Sequence, residues 1–445
     1  MRTMKRVAAV ALSVVVLMTS GVSAKAAVTD VQPAKSSSEA VLKWAKKVGE
    51  PFDEKTYANN TVSKIKLVGN YLYVADDAKH RIMKIDKKDG TILKEQKYCD
   101  ESYIQGYVSS IGYGDGKVYV GYDNGRVQAF DENTLESLWI TDENKNAINS
   151  DFVFTNGKLY FGTTAKTTDW YDNGAPFSYY VVTTSDDDKT KPDEEKTMKK
   201  VVESKTGKFY LKKGVVLGKY IVISDTAGTL TMIDTTNDKV TDTKDIGEAF
   251  SGNITYDEMT GTIYFVAGTN DLYGIKVSAD GKLKDEKKVR LYETGYSSTT
   301  PEVYNGKVYV SGSKGKAFQD KGYMAVADVC SGKYKVNYTV ELSNYSQCEP
   351  TIVKTGENSV RVYFTINDEP GGIYAIEDSK DATSATLETV YEPTGDIKNT
   401  GCMSDVVVDE DGTIYFANDS KYIMSVGKKV EDTKKSDVIT VKPDT

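Results

Sequence analysis

Few side chains in this sequence could serve as nucleophile, proton shuttle or metal ligand. His80, in "YVADDAKH", is the one histidine, and the four cysteines are Cys99, Cys330, Cys348 and Cys402. Zinc sites draw on clustered His and Cys, so dispersed thiols and one imidazole predict no metal. A Ser-His-Asp arrangement would have to use His80, which falls in a turn between two strands and reads as a solvated loop residue. Paired carboxylates for glycoside hydrolysis stay open, because 65 acidic residues allow many pairs and the sequence singles out none. In "SDDDKTKPDEEK" (185–196), Asp186, Asp187 and Asp188 stand side by side. Calcium loops need alternating ligands of the Asp-x-Asp-x-Asp-Gly kind, so this stretch reads as a solvated, mobile insertion.

What remains is recognition chemistry. The segments "YCDESYIQGYVSS", "YETGYSSTTP", "ELSNYSQCEP" and "YEPTGDIKNTGC" bring Tyr103, Tyr107, Tyr292, Tyr296, Tyr345 and Tyr391, and "TTDWYDNGAPF" adds Trp170 and Tyr171. Phenols and indoles combine a large apolar face with a polar tip, which suits peptide or glycan binding. The competing reading is that tyrosine is abundant, at 31 of 445 residues, and that many of these rings cap the edges of sheets.

A repeat must position these segments. A turn-plus-strand phrase recurs as "YLYVAD", "KVYVGY", "KLYFGT", "KYIVIS", "TIYFVA", "KVYVSG", "RVYFTI" and "TIYFAN". Its central residues are Tyr73, Tyr119, Tyr160, Ile221, Tyr264, Tyr309, Tyr363 and Tyr415: eight copies, seven with Tyr, about 49 residues apart. That period matches propeller blades. Ahead of the phrase lies an extended segment such as "SDFVFT" or "SDVVVD". A turn such as Asp115-Gly116, Asn156-Gly157, Asn305-Gly306 or Asp411-Gly412 joins the two, a dipeptide suited to positive φ. Third strands ("RVQAFD", "TLTMID") and fourth strands ("ESLWIT", "KYKVNYT") complete four per copy. "VYV", "LYF" and "IYF" are apolar on both faces, as a strand sandwiched between neighbouring sheets requires.

The expected architecture is therefore all-β: an eight-bladed β-propeller of four-stranded antiparallel blades. The last copy lacks a convincing fourth strand, while "AVLKWAKKVGE" (40–50) is an orphan near the start, with Trp44 where another fourth strand has Trp139. We expect this segment to pair as the outer strand of the last blade, closing the ring and removing open edges. An amphipathic helix over 38–48 is the alternative. In a propeller the loops leading into first strands surround one mouth of the axial channel, which places the tyrosine segments there. Cys348 and Cys402 precede the first strands of blades seven and eight, where inner strands approach closely. They form a candidate disulfide if their Cα atoms lie within about 7 Å. Cys99 and Cys330 fall at opposite ends of their blades and should not pair.

"QAFDENTLESLW" (128–139) resembles the A-x-D-x-x-T-G-x-x-x-W signature of PQQ-type propeller repeats: Ala129, Asp131, Thr134 and Trp139 match, and Leu135 replaces the Gly. "AVADVCSGKYKV" keeps Ala327, Asp328 and Gly332 without a Trp, and "YAIED" and "MIDTTNDKV" are weaker echoes. Over roughly residues 40–427 the chain is thus similar to the quinoprotein-like eight-bladed superfamily, which includes non-catalytic envelope scaffolds. The catalytic members of that family hold a calcium near the quinone and usually carry adjacent cysteines forming a ring disulfide. Here no Cys-Cys pair exists and most docking tryptophans are missing, so the resemblance implies no cofactor.

The start carries Arg2, Lys5 and Arg6, an apolar run over 7–18, and small residues ending at Ala24 or Ala26, the pattern of a secretory signal. The run is short for a membrane span. Its removal through Ala26 deletes four cations and takes the net charge from -8 to -12. Interspersed acidic charge argues against nucleic-acid binding and anionic membrane surfaces. The expected organisation is signal 1–26, linker 27–39, propeller 40–427 and tail 428–445, giving a secreted or cell-surface monomer without membrane insertion. The functional expectation is a non-catalytic module that binds protein or polysaccharide at the cell envelope. The alternative is a secreted propeller enzyme, quinoprotein-like or carbohydrate-active. Three or more carboxylates converging on the axial channel beside an ion would favour the enzyme; an apolar, tyrosine-lined mouth would favour the binder.

Overall fold

The computed structural model describes residues 31–50, 62–99, 104, 111–166, 174–191, 193–250, 252–315, 320–330 and 332–429. The signal and tail segments lie outside the described residues. Eight antiparallel sheets are arranged as the blades of a β-propeller. Seven blades are built in chain order over 66–97, 112–141, 153–204, 215–245, 255–290, 302–342 and 351–391, and the eighth takes 407–428 together with the strand Ala40–Lys47. No helix among the described residues is long and apolar enough to cross a membrane.

The burial pattern follows radial packing. Second strands such as Lys117–Gly121 and Thr262–Ala267 are buried on both faces, while the outer strand Leu283–Arg290 is exposed along most of its length. Three of the predicted turns, Asp115-Gly116, Asn156-Gly157 and Asn305-Gly306, have both residues at positive φ, as a two-residue hairpin loop requires; at Asp411-Gly412 only the glycine does. Leu135, standing where the repeat signature has Gly, keeps a left-handed φ of 59° and is fully buried. Its side-chain burial offsets a backbone cost of about 1–2 kcal/mol.

The recurring tyrosine has a second role besides filling space. Its phenol crosses to the next blade: Tyr73 donates to Glu132 O (2.6 Å), Tyr160 to Asp238 Oδ1 (2.6 Å), Tyr309 to Asp378 Oδ2 (2.8 Å), and Tyr415 to Lys87 O (3.2 Å). Tyr363 donates to Ala34 O at 3.3 Å, so residues ahead of the closing strand, read as linker, are packed against blade seven. Tyr119 is the exception and bonds Gly114 O within its own blade.

Closure by the early strand holds, and the helix alternative does not. Ala40–Lys47 pairs antiparallel with Tyr422–Lys428, with Trp44 opposite Ser425. The Trp44 ring lies 6.0 Å from Tyr415, its Nε1 donates to Lys87 O (3.1 Å), and it covers Gly90 of blade one. Gly90 is glycine for cause: its φ is +74°, and a Cβ there would stand 2.7 Å from the indole. Trp139 of blade two makes the corresponding bond to blade three, its Nε1 donating to Thr184 O.

The insertion at 185–196 is better ordered than its composition suggested. Glu194–Lys196 forms a strand parallel to Ser137–Thr141 of blade two. Lys196 is buried, donates to Thr183 O and lies over the Trp139 ring. Asp187 faces Lys196 and Asp188 faces Lys191 and Thr190, which uses their charge internally.

Candidate functional site at the axial mouth

Each first strand is approached by residues that alternate in direction. Three residues before the strand, a small polar side chain turns into the blade and takes a backbone N–H of the second strand: Ser63 from Ala75, Ser150 from Gly162, Ser404 from Ala417. Cys348 holds this position in blade seven, and its Sγ accepts from Thr365 N at 3.2 Å. Cys402 stands five residues before its strand, not three, with its Sγ toward Ala417 O. The expected disulfide is therefore absent. The two thiols are buried and free, because they occupy different positions of the approach and face different backbones.

Two residues before the strand, alternation turns the side chain toward the axis. These positions carry Lys64, Asp151, Lys213, Asn253, Glu349 and Asp405. Lys64 Nζ meets Asp405 Oδ2 of the neighbouring blade at 2.9 Å. Lys213 of blade four meets Glu349 of blade seven at 2.7 Å, across the channel. The backbone completes the ring, with Lys213 N donating to Asn253 Oδ1 and Glu349 N to Asp405 Oδ1, both at 2.9 Å. Glu302, the first residue of its strand, is 2% exposed and lies near enough to Glu349 for the two carboxyls to perturb each other. The side chains of Lys64, Asp405 and Lys213 keep 22–27% of their surface, as expected for groups lining a wet channel rather than a dry core.

The titration of these groups follows from their neighbours. Burial opposes the charge on Lys64 and on Lys213, but the surrounding carboxylates outweigh it and raise both amines: Asp405, Asp151 and Glu349 for the first, Glu349 and Glu302 for the second. Lys66, also on the axis, is lowered, by burial first and then by Lys213 against the pull of Asp151. Glu349 is held below the ordinary carboxylate range, since Lys213, the hydrogen bond from Glu302 and Lys64 together exceed its burial. Glu302 is pushed well above that range, first by burial and then by the charge of Glu349. The two carboxyls are thus shifted in opposite directions, Glu302 toward its neutral form and Glu349 toward its ionised form. The neighbouring Lys212 points the other way, into the protein, and donates to Phe250 O and Gly252 O at 3.0 and 2.6 Å.

The tyrosine segments meet this ring on the same loops. Tyr296 precedes Glu302 and Tyr345 precedes Glu349. Two aromatic layers result. Tyr292 stacks on buried Tyr323 (5.0 Å, 15°), and Tyr296 lies against buried Tyr345 (5.5 Å, 41°). Tyr292 and Tyr296 remain half-buried, with Lys314 Nζ 5.3 Å from the Tyr292 ring centroid. Tyr345, expected on the binding surface, is fully buried; its phenol accepts from Ser298 N at 2.9 Å, and its ring lies beneath Tyr296. Tyr391 is half-buried against Phe416 of blade eight. Tyr103, Tyr107, Trp170 and Tyr171 lie outside the described residues. His80, read as solvated, is half-buried at a φ of 48° with its ring edge-on to Tyr98.

Among the described residues the axis itself is charged. Four carboxylates, Asp151, Glu302, Glu349 and Asp405, converge there with Lys64, Lys66 and Lys213. Lys64, Asp151, Lys213, Glu349 and Asp405 stood in the sequence two residues ahead of their first strands, while Lys66 and Glu302 open theirs. No cluster of three or more His, Cys, Asp or Glu among the described residues is placed to hold a metal ion. A quinone laid across the axis would meet the Lys213–Glu349 pair, so these residues do not fit that group.

No protein-family model matches the chain, and no curated protein matches it. Solved structures do. BamB from Moraxella catarrhalis superposes with a TM-score of 0.57 at 11% identity, over 87% of this chain and 97% of that one. The computationally designed Ika8 protein superposes with a TM-score of 0.53 at 11% identity, over 86% of this chain and 100% of that one. At such identity the likeness is one of fold: this chain is an eight-bladed β-propeller similar in architecture to both.

Proposed function

We propose that the mature chain is an exported, non-catalytic β-propeller that binds a protein segment at the cell envelope through its axial mouth. The observation that carries this reading is the pairing of Tyr292 and Tyr296 with the buried rings of Tyr323 and Tyr345. Rings fixed from beneath lose little freedom on contact with a partner, which lowers the entropic cost of binding. The charged ring beside them suits a polypeptide carrying both signs better than a neutral glycan, because Lys and Asp/Glu side chains can exchange partners with Lys64–Asp405 and Lys213–Glu349. The charged and apolar start of the sequence supports export.

Capture of peptides on an array by the mature chain, repeated with Tyr292→Ala and Tyr296→Ala together, tests this. Loss of two aromatic anchors should weaken binding by about 2 kcal/mol or more. Unchanged capture overturns the reading.

The convergence of carboxylates favours the enzyme alternative in one respect, since Glu302 and Glu349 have opposed protonation, as an acid and a base require. Both carboxyls of a glycosidase must reach the glycosidic bond, however, whereas Glu302 is only 2% exposed. Turnover of any glycoside that Glu302→Gln abolishes would restore the enzyme reading.

A further inference from the structure

The opposite face of the ring carries the turns between first and second strands and between third and fourth. Two cavities open there at equivalent places, one of about 420 Å³ between blades six and seven and one of about 440 Å³ between blades eight and one. In each, the second-strand tyrosine forms the floor (Tyr309, Tyr415), an aspartate near the end of the neighbour's third strand forms a wall (Asp378, Asp86), and an asparagine of the neighbour's first turn forms the rim (Asn358, Asn70).

The cleft between blades six and seven has an additional opening. The outer strand of blade seven, Glu388–Tyr391, pairs only with Ile373, Tyr374 and Ala375, so the last turn-ward residues of Ile373–Ser379 lack a fourth-strand partner among the described residues. The floor is internally satisfied: Asp378 accepts from Lys307 Nζ at 2.9 Å, Tyr309 OH at 2.8 Å and Tyr338 OH at 2.5 Å. The rest of the lining includes Tyr304, the carboxamide residues Asn305, Asn337 and Asn358, and three charged residues, Lys380, Asp328 and Asp381.

This set describes a particular ligand. Carboxamides both donate and accept, which matches vicinal hydroxyls, and an aromatic face matches the C–H surface of a sugar ring. The single excess carboxylate disfavours an anion, and carboxylates also accept from sugar hydroxyls. The volume lies within the range of small-molecule sites, about 300–1,000 Å³. We infer that the cleft between blades six and seven is a binding site for a neutral saccharide, separate from the axial mouth and on the opposite face.

Cys330 supplies a native reporter. It lines this cleft and is exposed, whereas Cys348 and Cys402 are buried and Cys99 is half-buried. It fits there because Gly306, at a φ of +75°, has no Cβ; one would stand 1.7 Å from the Cys330 sulfur. The experiment alkylates the mature chain with a maleimide in the presence of cello-, malto-, manno- or chito-oligosaccharides, read at the Cys330 peptide by mass spectrometry. One series should slow labelling about tenfold at about ten times its Kd, because only the free protein reacts. Asn337→Leu with Asn358→Leu should abolish that protection while leaving the labelling rate without sugar unchanged. The Tyr292→Ala, Tyr296→Ala protein should remain protected, which separates this site from the axial one. Absence of protection by every series, or protection that survives in the asparagine variant, overturns the inference.

Discussion

Lys213 Nζ lies 2.7 Å from Glu349 Oε1 although the two residues belong to blades four and seven. The pair spans the axis, and Glu302, buried beside it, is raised by burial first and then by the charge of Glu349. Removing Glu349 leaves the Lys213 charge enclosed without its partner. Glu349→Gln should therefore cost about 3–5 kcal/mol at neutral pH, measured by urea unfolding.

The two glutamates respond to pH with opposite signs. Unfolded, each titrates near about 4.3. Glu349, lowered in the folded chain, contributes stability that is present above that pH and is lost as the pH falls through its folded value. Glu302, raised in the folded chain, holds a proton that the unfolded chain has released, so its share of stability declines as the pH rises from about 4.3 toward its folded value. Glu302→Gln keeps a donor but cannot ionise. It should raise the Tm near pH 8 and leave it unchanged near pH 4. A Tm lowered at both would mean that Glu302 is ionised in the fold.

Ring closure depends on one indole. Trp44→Ala should cost about 3–5 kcal/mol, as large aromatic truncations do, and Trp44→Phe about 0.5–1.5 kcal/mol for the lost bond to Lys87 O. Gly90→Ala should destabilise the native chain both through its φ and through collision with Trp44. In a Trp44→Ala background the collision part disappears. A double-mutant cycle by urea unfolding should therefore show clear non-additivity; additive effects would mean that the indole does not cover Gly90.

The phenol bridges between blades should differ by acceptor. Tyr309→Phe removes a bond to the Asp378 carboxylate, worth about 1.5–3 kcal/mol, whereas Tyr73→Phe removes one to the Glu132 carbonyl, worth about 0.5–1.5 kcal/mol. Thermal unfolding of the two variants should rank them in that order. Equal losses would show that ring packing, not the acceptor, sets the contribution.

The ring was legible because its cause is local. A strand apolar on both faces must lie between sheets, and Asn-Gly or Asp-Gly turns carry the backbone requirement in their own residues. Trp44 could be placed by its likeness to Trp139. The charged axis was not read, although Lys64, Asp151, Lys213, Glu349 and Asp405 were in plain view, because no apolar period marks them. Their pairing also joins segments more than 50 residues apart. Tyr345 was misplaced for a related reason: which of two stacked rings faces solvent is decided by the loop that folds over it, here Tyr296. The Cys348–Cys402 expectation failed on a two-residue offset that only the start of each strand defines.

The sheet that seals the ring takes its outer strand, Ala40–Lys47, from the chain's early part and its other three from the last. During synthesis the first of these waits unpaired while seven blades form, and the circle joins only when residues near 428 emerge. Long-range pairings of this kind are slow to find. Closure of the ring therefore has to wait for the meeting of two segments almost 400 residues apart in the chain.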